Sequence, residues 1–198
     1  SVKHQVSCHY LIDRKGVILK MVDDNKVAWH AGKSKWKNFN NLNYNSIGIE
    51  LVNKGHNLGY EKFTSLQVHA LIKLCLYLKK TYKIKNSDIV GHSDIAPLRK
   101  QDPGEKFPWK KLKKNQLGIW YRNFKIRSKK LNNNKLTKLF FNNLFKIGYR
   151  YFDRNKRSKK DIFVVKAFQR RFLPHKVTGV IDQNDYIISH FLASQSKK

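Results

Sequence analysis

The sequence predicts an α/β fold, a mixed central sheet flanked by helices, followed by a small three-helix domain. Three observations carry this. The first half alternates short β-like runs with one strongly amphipathic helical segment, the pattern of a sheet with helices packed on it. Beyond residue 130 the apolar spacing becomes purely helical. The chain has 198 residues, 40% of them hydrophobic and 13% aromatic, which suits one domain of ordinary size plus a smaller one.

Residues 5–13 alternate as a strand, and Asp13-Arg14-Lys15-Gly16 reads as a hairpin turn leading into a second strand over 17–22. Residues 28–45 form a long loop containing aromatics, one glycine and several asparagines. Residues 46–52 have the composition of a fully buried strand, with Gly48 marking a close approach of backbone. Thr64-Ser65-Leu66-Gln67 is a capping box. It opens a helix with Leu71, Leu74, Cys75 and Leu78 on one face and Lys79 and Lys80 in its last turn. Ile89-Val90 is read as a further strand, and the α/β domain ends near Leu112.

Residues 113–130 read as a basic linker with some apolar anchoring, so that 1–112, 113–130 and 131–198 are expected as domain, linker and helical domain. Leu136, Leu139, Phe140 and Leu144 suit one helix; Ile162, Val165, Ala167, Phe168 and Phe172 a second; Ile187, Ile188, Phe191 and Leu192 a third, capped by Asp182 with Asp185 three residues on.

The net charge is +29 and unevenly spread. Residues 1–110 carry 19 Lys and Arg against 9 Asp and Glu, whereas residues 111–198 carry 23 against 4. The densest stretch, 109–130, interleaves Trp109, Trp120, Tyr121 and Phe124 with the cations. Such a surface attracts anionic envelope polymers or lipids. It would also attract phosphate backbones, but nucleic acid has the least support, resting on charge alone. A lysine- and asparagine-rich bias, with the charge merely solvated, is the competing reading. No run of 18 apolar residues could span a membrane, and Ser1–Ser7 carry no signal-peptide pattern. Cys8 and Cys75 have neither zinc nor redox spacing; Cys75 reads as a small core hydrophobe, and a disulfide between the two stays open. There is no Gly-rich phosphate loop, no Gly-x-Ser-x-Gly and no Cys-x-x-Cys.

The stretch with most chemistry is Gly91-His92-Ser93-Asp94-Ile95-Ala96-Pro97-Leu98-Arg99-Lys100-Gln101-Asp102-Pro103-Gly104. It sets an imidazole and a carboxylate ten residues apart on a proline-stiffened loop, and neutral histidine and aspartate are ready zinc ligands. Glu50 is a lone acid in an apolar strand, and such acids are seldom buried without a partner or a task. Lys100 stands two residues before the carboxylate, with a plain surface lysine as the bland alternative.

This loop, with Ser7-Cys8-His9-Tyr10-Leu11-Ile12, Ala28-Trp29-His30-Ala31-Gly32 and Asn45-Ser46-Ile47-Gly48-Ile49-Glu50-Leu51, closely resembles the zinc-dependent N-acetylmuramoyl-L-alanine amidases of the AmpD/AmiD type. These share their fold with peptidoglycan-recognition proteins. The four motifs occur in the family's order and spacing. The resemblance implies Zn2+ held by His92 and Asp102, Glu50 activating water, and Lys100 stabilising developing negative charge. Trp29, His30, Ala31 and Asn45 are expected to bind substrate, and His9 to be a core or supporting group. His4, His56, His69, His175 and His190 match nothing and are taken as surface or core. The family's third ligand, a histidine on a preceding strand, has no match; it is expected upstream of residue 1, as is an export signal.

Ala167-Phe168-Gln169-Arg170-Arg171-Phe172 with Thr178-Gly179-Val180-Ile181-Asp182 resembles the peptidoglycan-binding domain attached to many wall hydrolases. Taken together, these resemblances imply hydrolysis of the bond between N-acetylmuramic acid and L-alanine in peptidoglycan or muropeptides. The alternative is a non-catalytic recognition module. They also imply a periplasmic or outer-membrane-attached location, with the cytoplasm as the alternative.

Overall fold

The computed structural model describes residues 6–122 and 131–195. His4, Gln5 and Phe124, and the 123–130 part of the expected linker, lie outside the described residues.

The sheet is mixed. Strand β1 (Tyr10–Ile12) lies between β2 (Ile18–Lys20), antiparallel to it, and β5 (Ile49–Leu51), parallel to it. The hairpin forms where expected because the Asp13 carboxylate accepts from the backbone N–H groups of Lys15 and Val17, each at 2.8 Å. The strands are shorter than their apolar runs. Ahead of Tyr10 the backbone leaves the ladder: Ser7 N–H bonds the Trp29 carbonyl, while His9 and Tyr10 N–H both bond that of Gly48.

Two expectations need correction. The run 46–52 is not a fully buried strand: Ile49 and Leu51 are half-buried and Glu50 is exposed. Among the described residues β5 is an edge strand, paired with β1 alone, and its middle side chain, Glu50, points away from the core. Ile89-Val90 is not a strand. Ile89 keeps extended dihedrals, but its carbonyl accepts from the guanidinium of Arg171 instead of from a ladder partner. The 28–45 loop also contains structure of its own, a ribbon of β3 (Lys35–Trp36) and β4 (Phe39–Asn40).

Helix α1 (Ser65–Thr81) begins at the capping box read from sequence: Thr64 Oγ1 accepts from Gln67 N–H, and Gln67 Oε1 accepts from Thr64 N–H. Gln67 Nε2 then donates to the Val52 carbonyl at 3.0 Å, fastening the helix to the end of β5. Val68, Leu71, Leu74 and Leu78 pack on Tyr10 and Ile12 of β1 and on Phe107, Trp109, Leu112 and Leu117, forming the first core. Cys75 lies against this core; both cysteines are free, and burial pushes the Cys75 thiol up to about 12.

Two short helices follow, α2 (His92–Ile95) and α3 (Trp109–Lys114), then three longer ones, α4 (Asn133–Ile147), α5 (Asp161–Phe172) and α6 (Gln183–Gln195). Asn132 caps α4 and Asp182 caps α6 through side-chain oxygens. The helical half does not bury its faces only against itself. Phe140, Leu144, Val164, Phe168, Phe172 and Leu192 share one core with Ala31, Trp36, Leu42, Ile95 and Ala96 from the first half. Trp36 packs edge-on to Tyr149 at 5.1 Å. Among the described residues no helix is long and apolar enough to cross a membrane.

Candidate active site

Glu50 stands on β5 opposite Leu11, and the approach to it is set by Gly48. Gly48 N–H donates to His9 Nδ1 at 3.0 Å, and His9 Nε2–H donates to the Lys26 carbonyl at 3.1 Å. His9 is fully enclosed and is therefore a structural strut, its tautomer assigned by these two bonds. The glycine is needed for space. A Cβ at position 48 would lie 2.2 Å from Cγ of His30, closer than any packing allows. Gly48→Ala is therefore expected to displace His30 and lower stability by about 1–3 kcal/mol, read from the urea midpoint.

His30 packs edge-on to His9 at 5.4 Å, and burial, with the neighbouring histidine, pushes its imidazole down to about 4. It is thus neutral at physiological pH, with its Nε2 buried and unpartnered among the described residues. Trp29 is half exposed and meets Tyr44 edge-to-face, giving this rim of the site an aromatic wall. Asn45 is exposed beside it. Ala31 is buried, so what it offers is backbone: its N–H donates to Asn43 Oδ1 at 2.7 Å, and its carbonyl faces the opposite loop.

That opposite loop carries His92 and Asp102. His92 opens α2, and its Nε2 lies 3.2 Å from the Ala31 carbonyl. His92 Nδ1 lies 3.0 Å from Asp102 Oδ2, a hydrogen bond; were a metal to displace the Nδ1 proton, the Nε2–H kept on the Ala31 carbonyl would leave the Nδ1 lone pair turned to the same point as the carboxylate. Ser93 N–H donates to the Asp102 carbonyl at 2.8 Å and holds the two limbs together. Burial would raise the Asp102 carboxyl, but the hydrogen bond and charge of His92, helped by Lys100, hold it below the ordinary range. Two electron-pair donors 3.0 Å apart compare with about 3.3 Å for two ligands on one tetrahedral zinc ion, and a ligating histidine characteristically donates its other N–H to a carbonyl or carboxylate. Both donors fit a metal in kind and spacing. Among the described residues no group of three or more His, Cys, Asp or Glu converges to complete the set.

Glu50 belongs to the same electrostatic unit. Although the side chain is accessible, the protein atoms crowded around its carboxyl partly strip it of water and push it up, the Asp102 charge pushes it further, and His92 and Lys100 pull against both. The structure therefore brings Glu50, His92, Lys100 and Asp102 together. Trp29, His30, Ala31 and Asn45 lie on the facing loop.

Several residues that shape the site carry no sequence signal. Arg99 donates through Nη2 to the carbonyls of Ala31 and Lys33, tying the histidine loop to the Trp29–Gly32 loop. Tyr60 OH donates to the Pro103 carbonyl at 2.6 Å, and its ring stacks on His56, which pairs with Glu105 at 3.0 Å. His56, taken as a bystander, thus braces the far end of the loop. Asp94, Tyr149 and Arg171 form a buried network directly beneath it.

Residues 1–105 match the family model described as N-acetylmuramoyl-L-alanine amidase. The N-acetylmuramoyl-L-alanine amidase AmiD of Escherichia coli K12 is 41% identical over 128 residues, 59% of this chain and 46% of that protein. The 1,6-anhydro-N-acetylmuramyl-L-alanine amidase AmpD of Haemophilus influenzae is 44% identical over 108 residues, 54% of this chain and 56% of that one. The chain spans about half the length of these curated relatives. The solved structure of E. coli AmiD in complex with the substrate anhydro-N-acetylmuramic acid-L-Ala-D-γ-Glu-L-Lys superimposes with a TM-score of 0.83 at 32% identity. That match covers 96% of this chain and 80% of AmiD, helical half included. A family model spanning more than half the sequence and a solved relative following nearly all of it agree: this chain belongs to the N-acetylmuramoyl-L-alanine amidase family.

Proposed function

We propose that this chain hydrolyses the amide bond between N-acetylmuramic acid and L-alanine in peptidoglycan or its released fragments, as a zinc enzyme. The observation that carries the reading is the convergence of Glu50, Lys100, His92 and Asp102 into one electrostatic unit, with His92 held against the loop that carries His30 and the half-exposed Trp29. His92 Nδ1 and Asp102 would hold the ion together with a third donor. Zinc supplies Lewis acidity, making water a stronger nucleophile and the carbonyl a better electrophile near neutral pH. Glu50 takes the proton from the attacking water and delivers it to the departing alanine nitrogen. Its upward-shifted carboxyl suits both halves of that transfer. Lys100 offsets the negative charge that gathers on the carbonyl oxygen, a role that acts only as the charge develops. Trp29 and Asn45, both exposed beside the site, would meet sugar and peptide.

The test is digestion of anhydro-N-acetylmuramic acid-L-Ala-D-γ-Glu-L-Lys, the ligand seen with AmiD. Release of stem peptide that stops with chelator and returns with zinc is expected. No release by zinc-loaded protein would sink the proposal. The incomplete donor set among the described residues favours one alternative, a peptidoglycan-binding module without catalysis. Zinc near one per chain argues against that alternative; retained muropeptide affinity without zinc supports it.

The helical half would add affinity for polymeric wall, and its positive charge suits an envelope location, periplasmic or attached to the outer membrane.

A further inference from the structure

We propose that α5 and the turn after α4 position the histidine loop, with Tyr149 and Arg171 acting as positioning residues for His92 through Asp94. The proposal rests on the reading of His92 as a metal ligand. A four-residue helix such as α2 cannot sustain its own geometry, because one turn fixes several dihedrals for a single hydrogen bond. Something outside it must hold His92 in place.

Asp94 does so from two residues away. Its carboxylate is almost wholly enclosed. Oδ2 accepts from Gly91 N–H at 2.8 Å, stapling the start of the turn, and from Arg171 Nη1 at 2.5 Å; Oδ1 accepts from Tyr149 OH at 2.5 Å. Arg171 grips the segment a second time, donating through Nη2 to the Ile89 carbonyl at 3.0 Å. The guanidinium cannot drift, since it lies 4.0 Å over the Trp109 ring. The anchor therefore touches the backbone on both sides of His92, at Ile89 and Gly91 before it and through Asp94 after it. Arg170, the next residue on α5, donates to Gln101 Oε1 at 2.9 Å, on the limb that carries Lys100 and Asp102. Ile95 and Ala96, which end the turn, are part of the helical core. Helix α5 is thus a platform under both limbs of the loop, and the helical half completes the active site as well as extending it.

Tyr149→Phe removes one hydroxyl and keeps the ring packed; Arg171→Met removes the charge at similar length, leaving a buried carboxylate without its counter-ion. Two quantities are measured for each: the zinc dissociation constant by competition with a chromogenic chelator, and amide hydrogen exchange. Tyr149→Phe is expected to weaken zinc binding at least about tenfold, as loss of a group that orients a ligand does, and to lower kcat with KM for the muramyl tripeptide within about twofold. Exchange should quicken at Ser93 and Ala96 while α1 and α4 keep their protection. Unchanged zinc affinity, or exchange that quickens uniformly, would overturn the proposal. Should Arg171→Met fail to fold, Tyr149→Phe alone decides. Should the unmodified protein neither bind zinc nor cleave, the amidase reading fails separately. The exchange pattern around Ser93 then still tests whether this anchor orders the loop.

Discussion

Glu50→Gln is expected to lower turnover of a muramyl peptide by at least about 10²-fold, the scale of a positioned acid–base group, without loss of fold. The side chain is exposed and fills no core, so the amide leaves no cavity. The sign of its pKa shift adds two checks. An acid raised above its ordinary value of 4.5 favours the folded state only while protonated; that contribution is lost as pH rises through the shifted value. Above it, ionised Glu50 is a cost to the metal-free fold, so metal-free Glu50→Gln should melt at the same temperature or higher at neutral pH. In catalysis the ionised form is the one that takes the proton, so the rate should fall along an acid limb as Glu50 is protonated, and a bound cation, like Lys100, favours the ionised form. Lys100→Ala removes one of those cations and should move the limb up as well as slowing turnover. A Glu50→Gln enzyme with near-normal rate would remove this residue from the mechanism.

Phe168→Ala is expected to cost about 3–5 kcal/mol, the range for emptying a buried phenylalanine site, and to be felt in both halves of the chain. Its ring is fully enclosed and packs on Phe140, Phe172 and Tyr149. The same core takes in Trp36 and Ile95 from the sheet half. Urea unfolding followed by far-ultraviolet circular dichroism and by tryptophan fluorescence should therefore show one coincident transition, shifted to lower urea in the variant. Two separated transitions would show that the halves unfold independently. The shared core also means that removing residues 131–198 exposes Trp36, Leu42, Ile95 and Ala96 to water. Wall binding and cleavage of small fragments should then fall together.

What the sequence determined by itself is whatever depends on neighbours in the chain. The capping box at Thr64 was legible because both partners lie within one turn, and so was Asp182 at the start of α6. Gly48 announced a close approach, although only the fold shows that the ring filling the space is His30. Glu50, His92, Lys100 and Asp102 stand in short motifs whose resemblance to the amidase family implied metal-assisted amide hydrolysis, so the candidate residues could be named before any geometry. Strand extents could not. Whether an apolar run pairs depends on a partner elsewhere, which is why Ile89-Val90 stayed out of the sheet and β5 stayed open on one edge. Only the tertiary structure decided that Asp94 meets Tyr149 and Arg171, 55 and 77 residues away, since no local pattern encodes which buried charges will meet. A buried carboxylate must find its hydrogen-bond donors somewhere, and in this chain the fold supplies them from the helical half.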